Sequence, residues 1–163
     1  APQHVVSQLA DGGRKRIALI NHDLSYKYAR LRERGYKSVI HLRDLDYQAV
    51  EYASELSSGA GMAAMQNLLK ANPPDAVFAV SDTLAAGALR AIQQAGLRVP
   101  EDIAVVGFDG TELAEMISLT TIEQPSRDIG RKAVNLLLNK IDNPDAPTER
   151  VMMDWRFISR ASS

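Results

Sequence analysis

Two short apolar runs lie near the middle of the chain. Val77 to Val80 and Ile103 to Phe108 show no polar alternation, and continuous runs of this kind are typical of parallel strands covered on both faces. Each run is followed by a carboxylate, Asp82 after the first and Asp109 after the second. Ligands of open parallel sheets bind at the carboxyl ends of the strands. The pattern therefore predicts a polar site that contains both aspartates.

Apolar residues spaced three and four apart predict the helices. They cover residues 4–11, 26 to 35 or beyond, 62–69, 83–95, 113–117 and 126–141. Ser126 is predicted to cap the last of these helices, which carries a wide apolar stripe. Further strands are predicted at 17–20, 119–123 and within 151–158, the last with Trp155 and Phe157. Segment 36–58 has the least regular pattern, with a strand candidate at 49–53.

The alternation of strands and helices predicts an α/β fold with a mostly parallel sheet flanked by helices. The length of 163 residues suits one domain, and 45% hydrophobic with 24% charged residues is ordinary for a globular protein. A chain of about 150 residues buries roughly 68–70% of its unfolded surface. The sequence can therefore form a hydrophobic core without a disulfide or a structural metal.

Charge and composition exclude several classes of function for this stretch. The formal net charge of −1 gives no electrostatic support for direct nucleic-acid binding. Cysteine is absent, which excludes disulfides and thiolate sites and is compatible with a cytoplasmic location. No apolar run approaches the ~20 residues of a membrane span. We therefore expect no membrane association.

Enzymatic motifs are few. GxSxG, P-loop, HExxH and GxGxxG patterns are absent, and the three histidines are not spaced as metal ligands. Asp82 and Asp109 could still act as an acid and base pair in a small α/β enzyme. Nothing beside them resembles a nucleophile, so we predict no catalytic residue, no metal site and no cofactor.

Two carboxylates at strand ends and an arginine fit a ligand-binding role better than a catalytic role. A carboxylate accepts hydrogen bonds from neighbouring hydroxyls of a polyhydroxyl ligand, and a guanidinium donates two in one plane. Simpler roles stay open. Asp82 could cap the next helix, Asp109 could satisfy turn amides before Gly110, and Arg30, Arg32 or Arg34 could be solvated on a helix surface.

Five segments together resemble bacterial transcription regulators of the lactose-repressor family. They are Arg16–Leu19, Ala29–Arg32 before Gly35-Tyr36, the long stretch 79–110, Leu119–Ile122 with Gln124-Pro125, and Ser159–Ser162. The resemblance covers essentially the whole chain and is most specific between Asp75 and Gly110. Periplasmic sugar-binding proteins of transport systems share the fold, and they remain the alternative.

The resemblance implies a periplasmic-binding-protein-like fold of two α/β subdomains with an effector bound between them. Residues 1–124 would be the C-terminal subdomain. Residues 125–148 would be a crossover helix and connection belonging to the N-terminal subdomain, and 149–163 would return as a strand. The first subdomain and the operator-reading helix-turn-helix are expected outside this sequence. The resemblance also implies a cytoplasmic homodimer whose effector, a sugar or related small polar metabolite, controls operator binding.

The resemblance also assigns residues to the effector site. Arg30 matches an arginine that contacts sugar hydroxyls, and Arg32 a more structural one. Ser81 and Asp82 match the polar pair that ends a strand, Asp109 the acidic residue of the cleft floor, and Gln124 a polar residue at the crossover. Ser25 belongs to the polar turn after the first strand, and Tyr28, like Tyr26, replaces smaller pocket residues. The aromatic usual near Leu56 is missing, so Tyr47 or Tyr52 could take its place.

The apolar stripe of the last helix yields a further expectation. Its residues between Ser126 and Ile141 would bury against the subdomain that lies outside this sequence, and an exposed apolar stripe of that width favours association. The face of the helix at 83–95, with Met116 and Ile117, also resembles the dimer surface of the family. Both features favour a homodimer.

Overall fold

The computed structural model describes residues 1–163 as one sheet flanked by helices on both faces. The helices are α1 Pro2–Asp11, α2 Lys27–Leu42, α3 Ser58–Ala71, α4 Asp82–Gln94, α5 Glu112–Met116 and α6 Ser126–Asp142. The strands are β1 Ile17–Asn21, β2 Ala49–Tyr52, β3 Ala76–Ala79, β4 Ala104–Asp109, β5 Thr120–Glu123 and β6 Arg156–Ile158. The predicted α/β class with a mostly parallel sheet is confirmed.

The six strands lie in the order β2-β1-β3-β4-β5-β6. All neighbours pair in parallel except β6, which runs antiparallel to β5. Helices α1 and α2 pack together, and α3 packs against α4. Connections between parallel strands are right-handed as a rule, which puts the two helix pairs on opposite faces of the sheet. The strand order reverses between β1 and β3, so their carboxyl ends border the crevice in which ligands of such sheets collect.

The core follows the apolar runs. Every residue of β1 and β3 is buried, and Tyr36, Phe78 and Met65 are among the largest fully buried side chains. Tyr36 also donates from its hydroxyl to the carbonyl oxygen of Ile17 at 2.8 Å, which connects α2 to β1. Tight packing of this kind needs no disulfide.

Helix α2 runs through Gly35 to Leu42, the longer of the two predicted extents. The glycine allows α1 to cross closely, because a Cβ at Gly35 would lie 2.9 Å from the Pro2 Cβ. Two other predicted helix starts are wrong. Helix α3 already begins at Ser58, before the glycines that were expected to precede it. Ser126 is the first residue of α6 rather than its cap, and its side chain caps no amide there.

The C-terminal strand lies within the predicted segment and includes Phe157, but it does not include Trp155. Only Arg156–Ile158 pairs with β5, whereas residues 151–155 form no strand. Trp155 instead packs its ring against His4 of α1, with the ring centroids 5.2 Å apart. The strand therefore begins only where the backbone meets β5.

Helix α6 stands apart from the core. None of its residues is buried, and its apolar stripe is exposed at Ile129, Val134, Leu137, Leu138 and Ile141. Helix α6 is thus amphipathic, but no apolar surface of this chain covers its apolar stripe.

Candidate effector site

Polar side chains collect where the parallel strands end. His22 follows β1, Ser81 follows β3, Asp109 ends β4 and Gln124 follows β5. Helix α2 is held over this edge because the buried Asn21 amide donates to the Ala29 carbonyl at 3.2 Å and to the Glu33 carboxylate at 3.0 Å. The two connections fix the start of α2 against the end of β1.

Asp109 is the accessible carboxylate of this edge. Its side chain is 38% exposed, and its Oδ1 accepts a hydrogen bond from Gln124 Nε2 at 2.9 Å and lies 3.7 Å from Arg32 Nη2. The backbone has a φ of 121°, a strained value for a residue other than glycine. Burial raises the pKa of Asp109, while the positive charge of Arg32 opposes that rise. Asp109 thus offers acceptor oxygens to a ligand at the strand ends.

Arg32 is the arginine that the structure brings to this carboxylate. Its guanidinium carbon lies 3.8 Å from the Phe108 ring centroid and 5.0 Å from that of Tyr28. Nη1 donates to the Val80 carbonyl at 2.5 Å. With only 12% of its side chain exposed, Arg32 is fixed by cation–π and charge-assisted contacts.

Arg30 does not join the two aspartates, contrary to the prediction. It is exposed, and its Nη1 donates to the carbonyls of Leu24 and Ser25 at 2.5 and 2.7 Å. It lines a separate surface pocket on the outer side of α2, together with Glu33 and Lys37. Helix geometry accounts for the difference, because residues two apart point to different faces.

Asp82 and Ser81 are framework residues in this structure. Asp82 is fully buried; its Oδ2 accepts from the Thr111 amide and hydroxyl at 2.7 and 2.8 Å, and its Oδ1 from the Thr121 hydroxyl at 2.5 Å. Ser81, also buried, caps α4 by accepting from the Leu84 amide at 3.1 Å. The cap that was considered for Asp82 is therefore made by Ser81, and both Asp82 oxygens are engaged within the protein.

Tyr28 belongs to an aromatic cluster beside Arg32. Its hydroxyl lies 2.7 Å from His22 Nδ1, and its ring stacks with that of His22 and lies tilted against that of Tyr26. Ser25 lies in the turn before α2, where its amide donates to Asp23 Oδ1 at 2.7 Å. Of the residues predicted for the site, Asp109, Gln124 and Tyr28 thus cluster around Arg32.

A polar cavity of about 810 Å³ adjoins this cluster. Asp109 and Gln124 line it together with Ser126, Asp128 and Arg156 from the start of α6 and from β6. Arg156 Nε donates to Glu123 Oε2 at 2.7 Å across the antiparallel strand pair. The chain therefore places hydrogen-bonding groups around a space large enough for a small metabolite.

The structure provides no metal centre, since no three His, Cys, Asp or Glu side chains are grouped as ligands. No helix combines the length and hydropathy that crossing a membrane requires.

Sequence reasoning missed the roles of Arg32 and His22. The helical period contained a signal for Arg32, because it lies four residues after Tyr28 and four before the buried Tyr36, on the inward face of α2. His22 was seen only as part of a polar turn. No sequence pattern links it to Tyr28, because the stacking depends on how the turn folds back on α2.

Comparison with known proteins gives consistent matches over nearly the whole chain. The model of the periplasmic binding protein-like domain matches residues 6–163. The ribose operon repressor of Haemophilus influenzae is 36% identical over 160 residues, which are 94% of this chain and 48% of that protein. The chain thus spans about half the length of the curated relatives it matches.

Solved structures agree with this result. A protein from Actinobacillus succinogenes is 48% identical, with a TM-score of 0.93 over 99% of this chain and 60% of that one. A LacI family transcriptional regulator from Enterococcus faecium with bound ribose is 29% identical, with a TM-score of 0.90 over 99% of this chain and 61% of that one. The fold of this chain is therefore similar to about 60% of the length of each of these two proteins.

Proposed function

The chain belongs to the family of periplasmic binding protein-like domains, in the branch of the lactose-repressor regulators, and we propose that it forms part of an effector-sensing domain. In this proposal the strand-end site binds a sugar or a related small polar metabolite, and binding controls the affinity of the whole regulator for its operator. The ribose operon repressor and the ribose-bound regulator among its relatives support this ligand class.

The observation that carries the proposal is the group of Asp109, Arg32 and Gln124 at an accessible edge of the sheet. Asp109 supplies acceptors and Gln124 an amide, while Arg32 adds positive charge that is fixed by Phe108. Adjacent hydroxyls of a sugar match such a mixed set of donors and acceptors. Hydrogen bonds to charged groups contribute about 1.5–3 kcal/mol each, which is enough to orient a small ligand.

We propose that residues 1–124 and 149–163 form the C-terminal subdomain and that 125–148 belong to the N-terminal one. The exposed stripe of α6 supports this division, because a helix with an apolar face and no buried residue needs a covering surface. The effector would bind between the two subdomains. This chain then contributes one wall of the site.

The remaining parts of the proposal concern the whole protein. It would be a cytoplasmic homodimer that binds operator DNA through a helix-turn-helix outside this chain. Similarity to repressors favours this reading over a sugar-binding protein of a transport system and over an enzyme. A helix-turn-helix encoded upstream would support the regulator, whereas a signal peptide upstream would support the transport protein.

A thermal-shift screen of the intact protein against sugars, nucleosides and phosphorylated metabolites tests the proposal, because a ligand that binds only the native state raises its stability. Asp109→Asn should abolish the stabilisation. Asp46→Asn is the matched control, since Asp46 is exposed and precedes β2 at the opposite edge of the sheet. Absence of a shift with every compound, or an unchanged shift in Asp109→Asn, would overturn the proposal.

A further inference from the structure

A second cavity, of about 500 Å³, lies on the outer side of α2, and we term it the outer α2 cavity. It shares no lining residue with the polar cavity that contains Asp109. Its lining side chains come mainly from successive turns of α2, spaced three and four residues apart, and so share one face of the helix. They are Leu24, Arg30, Glu33, Arg34, Lys37 and Ser38. The volume lies within the range of small-molecule sites.

Arg30 is held in place in a way that leaves one edge of its guanidinium free. Both of its hydrogen bonds, to the carbonyls of Leu24 and Ser25, are donated by Nη1. A guanidinium has five N–H groups in a planar fork, so the edge formed by Nε and Nη2 keeps its donors. Such an edge binds two oxygens of one anion at once. Arg30 therefore presents a preoriented pair of donors at the cavity.

Arg34 places a second guanidinium next to the first. It is exposed, and neither it nor Arg30 is among the arginines that form ion pairs in this structure. Residues four apart on a helix are neighbours, with about 5–6 Å between their Cβ atoms, and like charges at this spacing destabilise the helix. An anion between the two guanidinium groups removes this repulsion.

The carboxylate of Glu33 does not neutralise the two arginines, because its oxygens are engaged elsewhere. Its Oε1 accepts from Lys37 Nζ at 2.6 Å, and its Oε2 accepts from Asn21 Nδ2 at 3.0 Å and from the Tyr52 hydroxyl at 3.1 Å. Burial acts to raise the pKa of Glu33, but these hydrogen bonds together lower it, so the group stays ionised. Lys37 balances this charge and retains further N–H groups. The cavity therefore keeps the net positive charge of two arginines.

This arrangement fits a phosphoryl group better than a carboxylate. A phosphate monoester carries a charge of about −1.5 to −2 at pH 7 and has three strong acceptor oxygens. A carboxylate has one charge and two oxygens, which a single guanidinium edge already satisfies. Two neighbouring guanidinium groups need the larger number of acceptors. The cavity also leaves space for the rest of a small molecule.

We propose that the outer α2 cavity binds the phosphoryl group of a small phosphorylated metabolite. Arg30 and Arg34 donate to its oxygens, Lys37 adds positive charge, and Leu24 and Ser38 border the remainder of the ligand. This site is separate from the one at the strand ends, and the inference does not rest on the proposed function.

Isothermal titration of the intact protein with glycerol 3-phosphate and with inorganic phosphate, at one fixed low ionic strength, tests this inference. Arg34→Gln should weaken binding of glycerol 3-phosphate about tenfold, a loss of about 1.4 kcal/mol. Arg34→Lys keeps the charge without the planar fork and should weaken it about threefold. Lys70→Gln is the matched control, because it removes one positive charge from an exposed position of α3, and its affinity should stay within about twofold.

Several results would overturn the inference. They are the absence of binding to the unchanged protein, unchanged affinity in Arg34→Gln, and an equal loss in Lys70→Gln, which would assign the effect to overall charge. Loss of binding in Asp109→Asn in place of Arg34→Gln would move the anion to the strand-end site. Tighter binding of a phosphoserine peptide than of glycerol 3-phosphate would overturn the assignment to a metabolite. Thermal unfolding of each variant shows that the fold is retained.

Discussion

Replacing Arg32 by lysine tests how the site is built, and Arg30→Lys on the same helix is its matched control. Both changes keep the charge and remove the planar guanidinium. Arg32 contacts the Phe108 ring, the Val80 carbonyl and Asp109. Arg30 is exposed and bonds only to carbonyls of the preceding turn. We expect Arg32→Lys to destabilise the fold and Arg30→Lys to have little effect.

The magnitude follows from the contacts of Arg32. A hydrogen bond to a charged group contributes about 1.5–3 kcal/mol, and a desolvated cation–π contact about 2 kcal/mol. Lysine retains part of both, so we expect Arg32→Lys to lower the free energy of unfolding by about 2–3 kcal/mol. Exposed polar contacts contribute far less, and Arg30→Lys should cost less than about 1 kcal/mol.

Urea unfolding of this chain, followed by far-ultraviolet circular dichroism, measures both variants. With an m value of roughly 1–3 kcal/mol/M for a small protein, the midpoint should fall by about 0.7–3 M for Arg32→Lys. The midpoint of Arg30→Lys should stay close to that of the unchanged chain. Equal losses in the two variants, or a larger loss in Arg30→Lys, would refute the assignment of Arg32 as the arginine that is fixed in the site.

Three further expectations concern the framework. Asp82→Asn places an amide opposite the Thr111 and Thr121 donors, so the free energy of unfolding should fall by about 2–4 kcal/mol in urea titrations. Gly87→Ala should destabilise by at least about 2 kcal/mol, because its Cβ would collide with the α3 backbone, whereas Gly130→Ala in open space should stabilise α6, both measured by thermal unfolding. Because the pKa of Asp109 is raised by burial, its contribution to stability is present below pH 3.8 and is lost as pH rises through the folded value; Asp109→Asn should remove this part of the pH dependence.

The sheet was predictable because buried parallel strands leave a simple pattern. The runs at 77–80 and 103–108 shift by only one residue in β3 and β4. The start of α3 was predicted too late, because Gly59 and Gly61 were expected to precede the helix. Gly35 and Gly61 lie within helices and allow close approach of another backbone, of α1 and α4 respectively. Sequence spacing contains no information on such crossings.

The site was predictable in location and less so in composition. Asp109 and Gln124 are in contact at the strand ends, as predicted. That Arg32 rather than Arg30 lies near Asp109 depends on how α2 is rotated about its axis. Asp82 looks like Asp109 in sequence, since each follows an apolar run. Only the structure shows that Thr111 and Thr121, from later segments, donate hydrogen bonds to Asp82. The Asp109 side chain, by contrast, stays accessible.

The enclosure of Asp82 has a consequence for redesigning the binding preference of this protein. Its three hydrogen bonds connect the start of α4 with the loop after β4 and with β5. A residue inside the core therefore fixes the backbone on which the proposed site is built. Positions around the proposed site, such as Gln124, can therefore be randomised in a library without touching that support. Directed evolution toward new ligands should leave Asp82 unchanged.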